Sequence, residues 1–262
     1  MNIEELIRTR KSVRTFDGRK LEESDVKKLR DYIETINNPY DIPVRFVLLD
    51  AKEHGLSNHL MEGEPMYIVG LVKDQPHCVE AFGFSFEKMV LYAWSLGIGT
   101  TVMGNFDRKS FGKAAGVGDD EIMMLASPLG YQASRQSEVD KKLRNRLKAD
   151  ERHSLETLFF EESCSRPLPE HADLDVMEAV RWAPSGGNLQ PWRIVKEDSR
   201  YHFYLHRRKP FQNLIGWDGQ KIDIGIAICH FMSVKKGHLV IEDPEIECDE
   251  LTEYVATVET SL

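Results

Sequence analysis

Arg181-Trp182-Ala183-Pro184-Ser185-Gly186-Gly187-Asn188-Leu189-Gln190-Pro191-Trp192 packs bend-forming and amide residues directly behind an apolar helical pattern. Pro184 stops the helix, and Ser185 and Asn188 can bond either backbone or a ligand. The Gly186-Gly187 pair lets backbone approach closely, and Gln190-Pro191-Trp192 leads into a strand at Arg193-Ile194-Val195. The stretch reads as a helix end opening into a ligand-contacting loop. The same composition would also serve an ordinary helix-to-strand connection.

A second cluster lies near the other end, where Arg10-Lys11-Ser12-Val13-Arg14-Thr15-Phe16 follows an amphipathic opening with Ile3, Leu6 and Ile7. It places two guanidinium groups, an ammonium and a hydroxyl within five residues. Arginine can grip phosphate oxygens through two parallel N–H bonds while lysine and serine add single donors, so the cluster can neutralise a phosphate dianion. Alone it would equally suit a solvated helix end.

The chain has 262 residues, 41% hydrophobic and 29% charged, which suits one large or two small folded domains. Its net charge of −9 argues against a general nucleic-acid or anionic-membrane surface, which needs a basic face. No apolar run approaches the roughly 18 residues of a membrane span. Met1-Asn2-Ile3-Glu4-Glu5 lacks a secretory layout, so a cytoplasmic location is expected. Cys78, Cys164, Cys229 and Cys248 show no C-x-x-C spacing; buried thiols are expected, with neither a disulfide framework nor a metal site.

Laid over each other, the two halves repeat. Asp25-Val26-Lys27-Lys28-Leu29 aligns with Asp173-Leu174-Asp175-Val176-Met177, and Pro43-Val44-Arg45-Phe46-Val47 with Pro191-Trp192-Arg193-Ile194-Val195, at one offset (173 − 25 = 191 − 43 = 148). A helix around Phe86 to Leu96 pairs with one around Ile222 to Val234 at a smaller offset. So long a spacing suggests two fused copies of one fold, not a solenoid. The boundary falls in the polar, proline-containing stretch Glu161 to Pro169, giving halves 1–162 and 163–262, with 138–160 a charged, mainly helical connector. Helices are expected near 22–36, 78–96, 107–115, 173–182 and 222–236. Strands are expected near 43–50, 66–73, 121–131, 191–197, 201–207 and 238–242, an α+β sandwich overall.

The loop from Ala183 to Trp192 resembles the A-P-S-x-x-N-x-Q-P-W signature of the nitroreductase family of flavin enzymes, and Arg10, Ser12 and Arg14 resemble its R-x-S-x-R motif. The resemblance implies a nitroreductase-like α+β fold, internally duplicated as a pseudo-dimer. It implies FMN as cofactor, with the phosphate and ribityl chain at Arg10, Lys11, Ser12 and Arg14. Pro184, Ser185, Gly186, Asn188 and Gln190 then lie against the ring, and Met103, Gly104 and Asn105 beside its reactive edge. Arg152 falls near the family's second phosphate contact, with Arg144, Arg146 and Lys148 competing for that role. Each half has lost what the other keeps. The first has Thr35-Ile36-Asn37-Asn38-Pro39-Tyr40 in place of the proline-serine loop, and the second has no R-x-S-x-R. The resemblance therefore implies one composite site and one degenerate site per chain, so that a monomer can form a full site, with further self-association left open.

The implied function is hydride transfer from NADH or NADPH through FMN to an electron-poor acceptor such as a nitroaromatic or quinone, with no dedicated catalytic side chain. The alternatives are an FMN storage or sensing protein without turnover, another flavin chemistry on this fold, and halves too diverged to bind flavin. Gly97, Gly99 and Gly104 do not make a dinucleotide fingerprint, because their spacing is wrong and they follow a helix; a helix C-cap at Gly97 or Gly99 is the plainer reading. His202 and His206 alternate on a strand and are expected to face water. The acidic last 22 residues are expected to form an exposed strand and tail.

Overall fold

The computed structural model describes residues 1–169, 173–207 and 217–261, which divide into two compact units. The first comprises Met1, Thr9–Cys78 and Ser85–Asp150; the second comprises Asn2–Arg8, Val79–Phe84 and Glu151–Leu262.

In the first unit, helix α2 (Glu23–Ile33) precedes strands β1 (Val44–Asp50) and β2 (Met66–Lys73), then helix α3 (Cys78–Ser95), β3 (Ile98–Gly99), α4 (Arg108–Ala115) and β4 (Glu121–Tyr131). The antiparallel sheet runs β1-β2-β4-β3. Strand β2 is apolar along nearly its whole length because it lies between two neighbours, and its residues Tyr67 to Val72 are buried. Tyr67, Leu71, Met103, Phe111 and Ala126 form one core cluster, with Tyr67 and Phe111 edge to face at 4.9 Å. Helix α5 (Glu138–Arg146) closes the unit, its N-terminus capped by Ser137 Oγ, which accepts from Asp140 N.

The second unit takes in most of α1 (Ile3–Thr9), then α6 (Leu155–Leu158), β5 (Phe159–Glu161), α7 (Leu174–Arg181), β6 (Trp192–Glu197), β7 (Arg200–His206), α8 (Gln220–Val234), β8 (His238–Val240) and β9 (Thr252–Glu259). Its sheet runs β5-β6-β7-β9-β8, antiparallel except for β5 beside β6. Helix α8 is buried continuously from Ile222 to Phe231, which explains a sequence apolar all round with no polar face.

Set side by side, the units repeat one plan. Helix, strand, strand, helix, strand, strand recurs as α2-β1-β2-α3-β3-β4, with α4 inserted between β3 and β4, and as α7-β6-β7-α8-β8-β9; β1-β2-β4-β3 and β6-β7-β9-β8 then share one strand order, with β5 added at the edge of the second sheet. The segment Val79–Phe84 of α3 meets α8 through a reciprocal pair of close approaches. A Cβ at Gly83 would collide with the backbone oxygen of Ile222, and one at Gly225 with the backbone oxygen of Glu80. Both pairs obey one offset (222 − 80 = 225 − 83 = 142).

Several expectations need correction. The connector is helical in two pieces, α5 to Arg146 and α6 (Leu155–Leu158), but its end is not: Phe159–Glu161 is a strand parallel to β6. The second unit accordingly begins at Glu151, ahead of the boundary expected at 162/163. The C-terminal segment is only in part an exposed tail: residues 241–250 are largely exposed, but β9 lies between β7 and β8 with Val255 to Val258 buried. The acidic ends of β9 are matched by Arg207, just past β7, which pairs with Glu253 at 2.6 Å, and by Arg200 of β7, which pairs with Glu259 at 3.0 Å. His202 faces protein, not water; it is fully buried with its ring nitrogens 2.8 Å from Thr257 Oγ1 and 3.2 Å from Glu197 Oε2.

Cys164 and Cys248 are disulfide-bonded, with Cα atoms 5.3 Å apart, while Cys78 and Cys229 are buried. The expectation of buried thiols thus fails for one pair, since a separation of 84 residues leaves no local spacing to read. The bond ties the polar stretch before α7 to a segment, Glu242 to Asp249, that has no regular structure of its own. Peptide mapping without reductant should recover the Cys164 and Cys248 peptides linked. Cys164→Ser should cost on the order of 2 to 5 kcal/mol of unfolding free energy in oxidised protein and nothing under reducing conditions; equal stability of both proteins when oxidised would contradict the bond.

Candidate functional site

The Arg10 to Arg14 segment of the first unit runs beside β3, where Val13 N donates to Thr100 O at 2.8 Å. Gly99 makes room for it, since a Cβ there would stand 2.7 Å from that of Val13. Gly97 is the residue with positive φ (76°) that closes α3, so the two glycines divide the cap and the close approach between them.

Arg10 and Arg14 are each 9% exposed. Arg14 Nη1 donates to Asp140 Oδ1 at 3.2 Å, while Arg10 Nε stands 3.7 Å from Glu87 Oε1 and has no hydrogen-bond partner among the described residues. Burial lowers the pKa of both arginines; Glu87 opposes this at Arg10, Asp140 at Arg14, and the positive charge of Arg144 adds to the lowering at both. Arg144 belongs to the same group, its Nη1 reaching Ser12 O at 3.5 Å and its Nη2 Asp150 Oδ1 at 2.5 Å. Asp140 and Arg144 are four apart on α5 and so share a face. Three guanidiniums thus gather about three carboxylates, Glu87 and Asp140 buried and Asp150 exposed, so that these charges balance. Lys11 and Ser12 are half-buried beside them.

Of the central segment, Met103 is a core residue whose N–H is spent on Ala126 O at 2.9 Å. Gly104 and Asn105 are exposed, and Asn105 O accepts from Asn58 Nδ2 at 2.9 Å. The offer of backbone donors to a ligand narrows from three expected residues to two.

In the second unit the loop after α7 is held from several sides. Ser185 Oγ accepts from Gln190 N at 2.8 Å, Asn188 Nδ2 donates to Glu151 O at 3.1 Å, and Gln190 Oε1 accepts from His153 N at 2.8 Å. Gly187, Asn188 and Gln190 all have positive φ (60°, 58° and 48°), a run that costs non-glycine residues about 1 kcal/mol or more each and persists only because these bonds impose it. Pro184 is half-buried at the start of this loop. Arg152, expected beside a phosphate, belongs to this unit: its guanidinium covers the Trp182 ring at 4.9 Å, and Nη1 lies 2.7 Å from Glu151 O and 3.4 Å from Asn188 Oδ1. Of the competing residues, Arg144 is the one found beside Arg10 and Arg14. The degenerate loop of the first half is closed on itself, with buried Asn38 bonding Ile42 O at 2.6 Å and Ser85 Oγ at 3.1 Å.

Sequence reasoning missed Asp223. This α8 residue is 5% exposed, and its Oδ1 accepts from Gly186 N at 2.9 Å. Burial pushes its carboxyl up to about 7, partly offset by the Gly186 N–H. An acidic residue inside an otherwise apolar helix, Ile222-Asp223-Ile224, was the available signal.

A family model described as "Putative TM nitroreductase" matches residues 2–234. The chain belongs to this nitroreductase family. Among solved structures, a protein from Thermotoga maritima described as a "putative nitroreductase" is 22% identical, with a TM-score of 0.62 over 99% of this chain and 94% of that one, a likeness of fold. A nitroreductase family protein from Clostridium novyi is 20% identical over 54% of this chain and 91% of its own, with a TM-score of 0.45. An FMN-dependent nitroreductase from Clostridium difficile is 15% identical over 52% and 92%, with a TM-score of 0.44. No curated protein matches the sequence.

The Asp223 carboxyl gives this nitroreductase a characteristic pH response. With a folded pKa near 7 against about 3.9 unfolded, the folded state binds the extra proton between those values, so its stability falls as pH rises through that window. The loss from this one group is on the order of 4 kcal/mol. Denaturant unfolding at roughly pH 5 and roughly pH 8 should show a larger drop for wild type than for Asp223→Asn; equal drops would mean the carboxyl does not titrate as described.

Proposed function

We propose that this nitroreductase is an FMN-dependent oxidoreductase that takes hydride from NADH or NADPH and delivers it to an electron-poor acceptor of the nitroaromatic or quinone class. The observation that carries the reading is the group of Arg10, Arg14, Arg144 and half-buried Lys11, four cations about the three carboxylates Glu87, Asp140 and Asp150, in which Arg10 Nε makes no hydrogen bond among the described residues. A cationic excess at a largely buried site favours an anion, and a phosphate dianion suits the geometry of guanidinium donors. In this reading Arg144, not Arg152, is the further phosphate contact. Lys11 and Ser12 add single donors. Gly104 and Asn105 offer backbone to the ring, and the loop from Pro184 through Ser185, Gly186 and Asn188 to Gln190 lies against it, with Arg152 bracing Asn188.

FMN, when bound, supplies the capacity to accept and release hydride. The chain's part is to bind, orient and stabilise: the arginines fix one end, the braced loop presents a preformed surface, and the cationic excess favours added negative charge. We read the repeated plan of the two units, together with the reciprocal Gly83 and Gly225 contacts, as an internal duplication in which one chain does the work of a dimer. One proline-serine loop and one arginine group per chain support one FMN per chain.

Arg14→Ala should weaken FMN binding by about 1 to 3 kcal/mol and Arg14→Lys by less, since lysine keeps charge but not the paired geometry. Fluorescence titration of folded variants measures this, and wild-type affinity in Arg14→Ala would remove the residue from the site. Released flavin should amount to one equivalent per chain after full reconstitution, in particles that light scattering sizes as monomers on dilution. Two equivalents, or flavin lost in step with dissociation, would overturn the duplicated-dimer reading. Anaerobic NADH or NADPH should bleach the bound flavin; a flavin that both leave oxidised would make the protein a flavin carrier without turnover.

A further inference from the structure

We propose that Asp223 is the positioning residue of the 185–190 loop: its carboxyl, buried in α8, holds the Gly186 amide and thereby fixes the left-handed turn that presents the loop to the flavin. The last step rests on the flavin reading above; the hold on Gly186 does not.

The geometry is direct. Oδ1 accepts from Gly186 N at 2.9 Å, and a Cβ built at Gly186 would lie 3.6 Å from Oδ2, so the carboxyl sits under that one residue. The other anchors of the loop act at Ser185, Asn188 and Gln190. The entry to the left-handed run at Gly187 is therefore governed by Asp223. Among the described residues no charged group contributes to the state of this carboxyl, which responds to burial and to the Gly186 amide; Lys221 on the same helix is turned to Glu80 of α3 at 3.6 Å and Glu253 of β9 at 3.9 Å, and Arg181 of α7 to His153 O and Glu178. A carboxyl in such a place weakens the fold at neutral pH, so its presence calls for a role other than stability.

The chain contains its own control. The offset of 142 set by the reciprocal glycine contacts makes Ala81 of α3 the counterpart of Asp223 (223 − 81 = 142). The half that carries the alanine is the half whose loop is replaced by Thr35 to Tyr40 and closed by Asn38. The buried carboxyl occurs with the loop and is absent without it.

Hydrogen exchange at the Gly186 amide, read by NMR on flavin-free full-length protein, tests the hold, and FMN titration tests its consequence. A carboxylate accepts more strongly than a carboxylic acid. Protection corrected for the intrinsic rate should therefore rise through about pH 7 in wild type and stay flat in Asp223→Asn. Asp223→Ala should lose protection by about 10-fold or more and FMN affinity by a similar factor, with Asp223→Asn within about 3-fold of wild type. Wild-type protection in Asp223→Ala, or lost protection with unchanged FMN affinity, would overturn the proposal. Should the alanine variant fail to fold, a pH-dependent protection that persists in Asp223→Asn would do the same. A wild type that binds no FMN sinks the flavin reading, while the exchange data still decide whether Asp223 holds Gly186.

Discussion

The crossing of the α3 segment Val79–Phe84 with α8 is the constraint on which the second unit is built. At Gly83 and Gly225 backbone meets backbone with no space for a single methyl on either side. Helices that approach this closely bury everything around the crossing, which is why α8 tolerates no polar face and why Glu80, 2% exposed, needs a partner such as Lys221. The two contacts exchange roles under one offset, and this reciprocity is what the proposed duplication rests on.

The arginine group shows a different economy. Glu87 and Asp140 are themselves buried, so neither Arg10 nor Arg14 sits in an apolar void, and Asp150 answers Arg144; the cation beyond this count is Lys11. A fully neutralised cluster would be a structural ion network with little appetite for a ligand. In the reading proposed above that extra charge is what separates an anion site from scaffolding, while the Asp140 and Arg144 that α5 supplies cancel each other.

Much of this was legible in the sequence because period and punctuation are local. The proline-serine loop announces itself by residue type, and β2 by its unbroken apolar run. The elements that escaped are those decided by distant partners. Val255-Ala256-Thr257-Val258 is too short a run, with acidic flanks, to declare a central strand, and only Arg200 and Arg207 across the ladder make those flanks tolerable. Phe159-Phe160-Glu161 became a strand because β6 offered an edge. His202 alternates as a solvated residue would, but sheet order placed it between β6 and β9. Arg144 and Arg152 were indistinguishable by sequence; the end of α5 separates them into different units. The disulfide and the Asp223 to Gly186 bond join residues too far apart for any spacing rule.

Strand β9 has a further consequence for how the protein comes into being. The first sheet is complete once the ribosome has made Tyr131, so that unit can fold while synthesis continues. The second cannot follow suit. Its inner strand β9 follows the other four in chain order, and Val79–Phe84 of α3 must wait for α8 to emerge before its glycine finds the opposing backbone. Until then β7 presents an unpaired edge, and the nascent chain passes through a stage in which a finished half is tethered to an unfinished, adhesive one. Order of translation thus becomes order of assembly, and the interval before residue 259 emerges is when the second sheet is most exposed to misassociation.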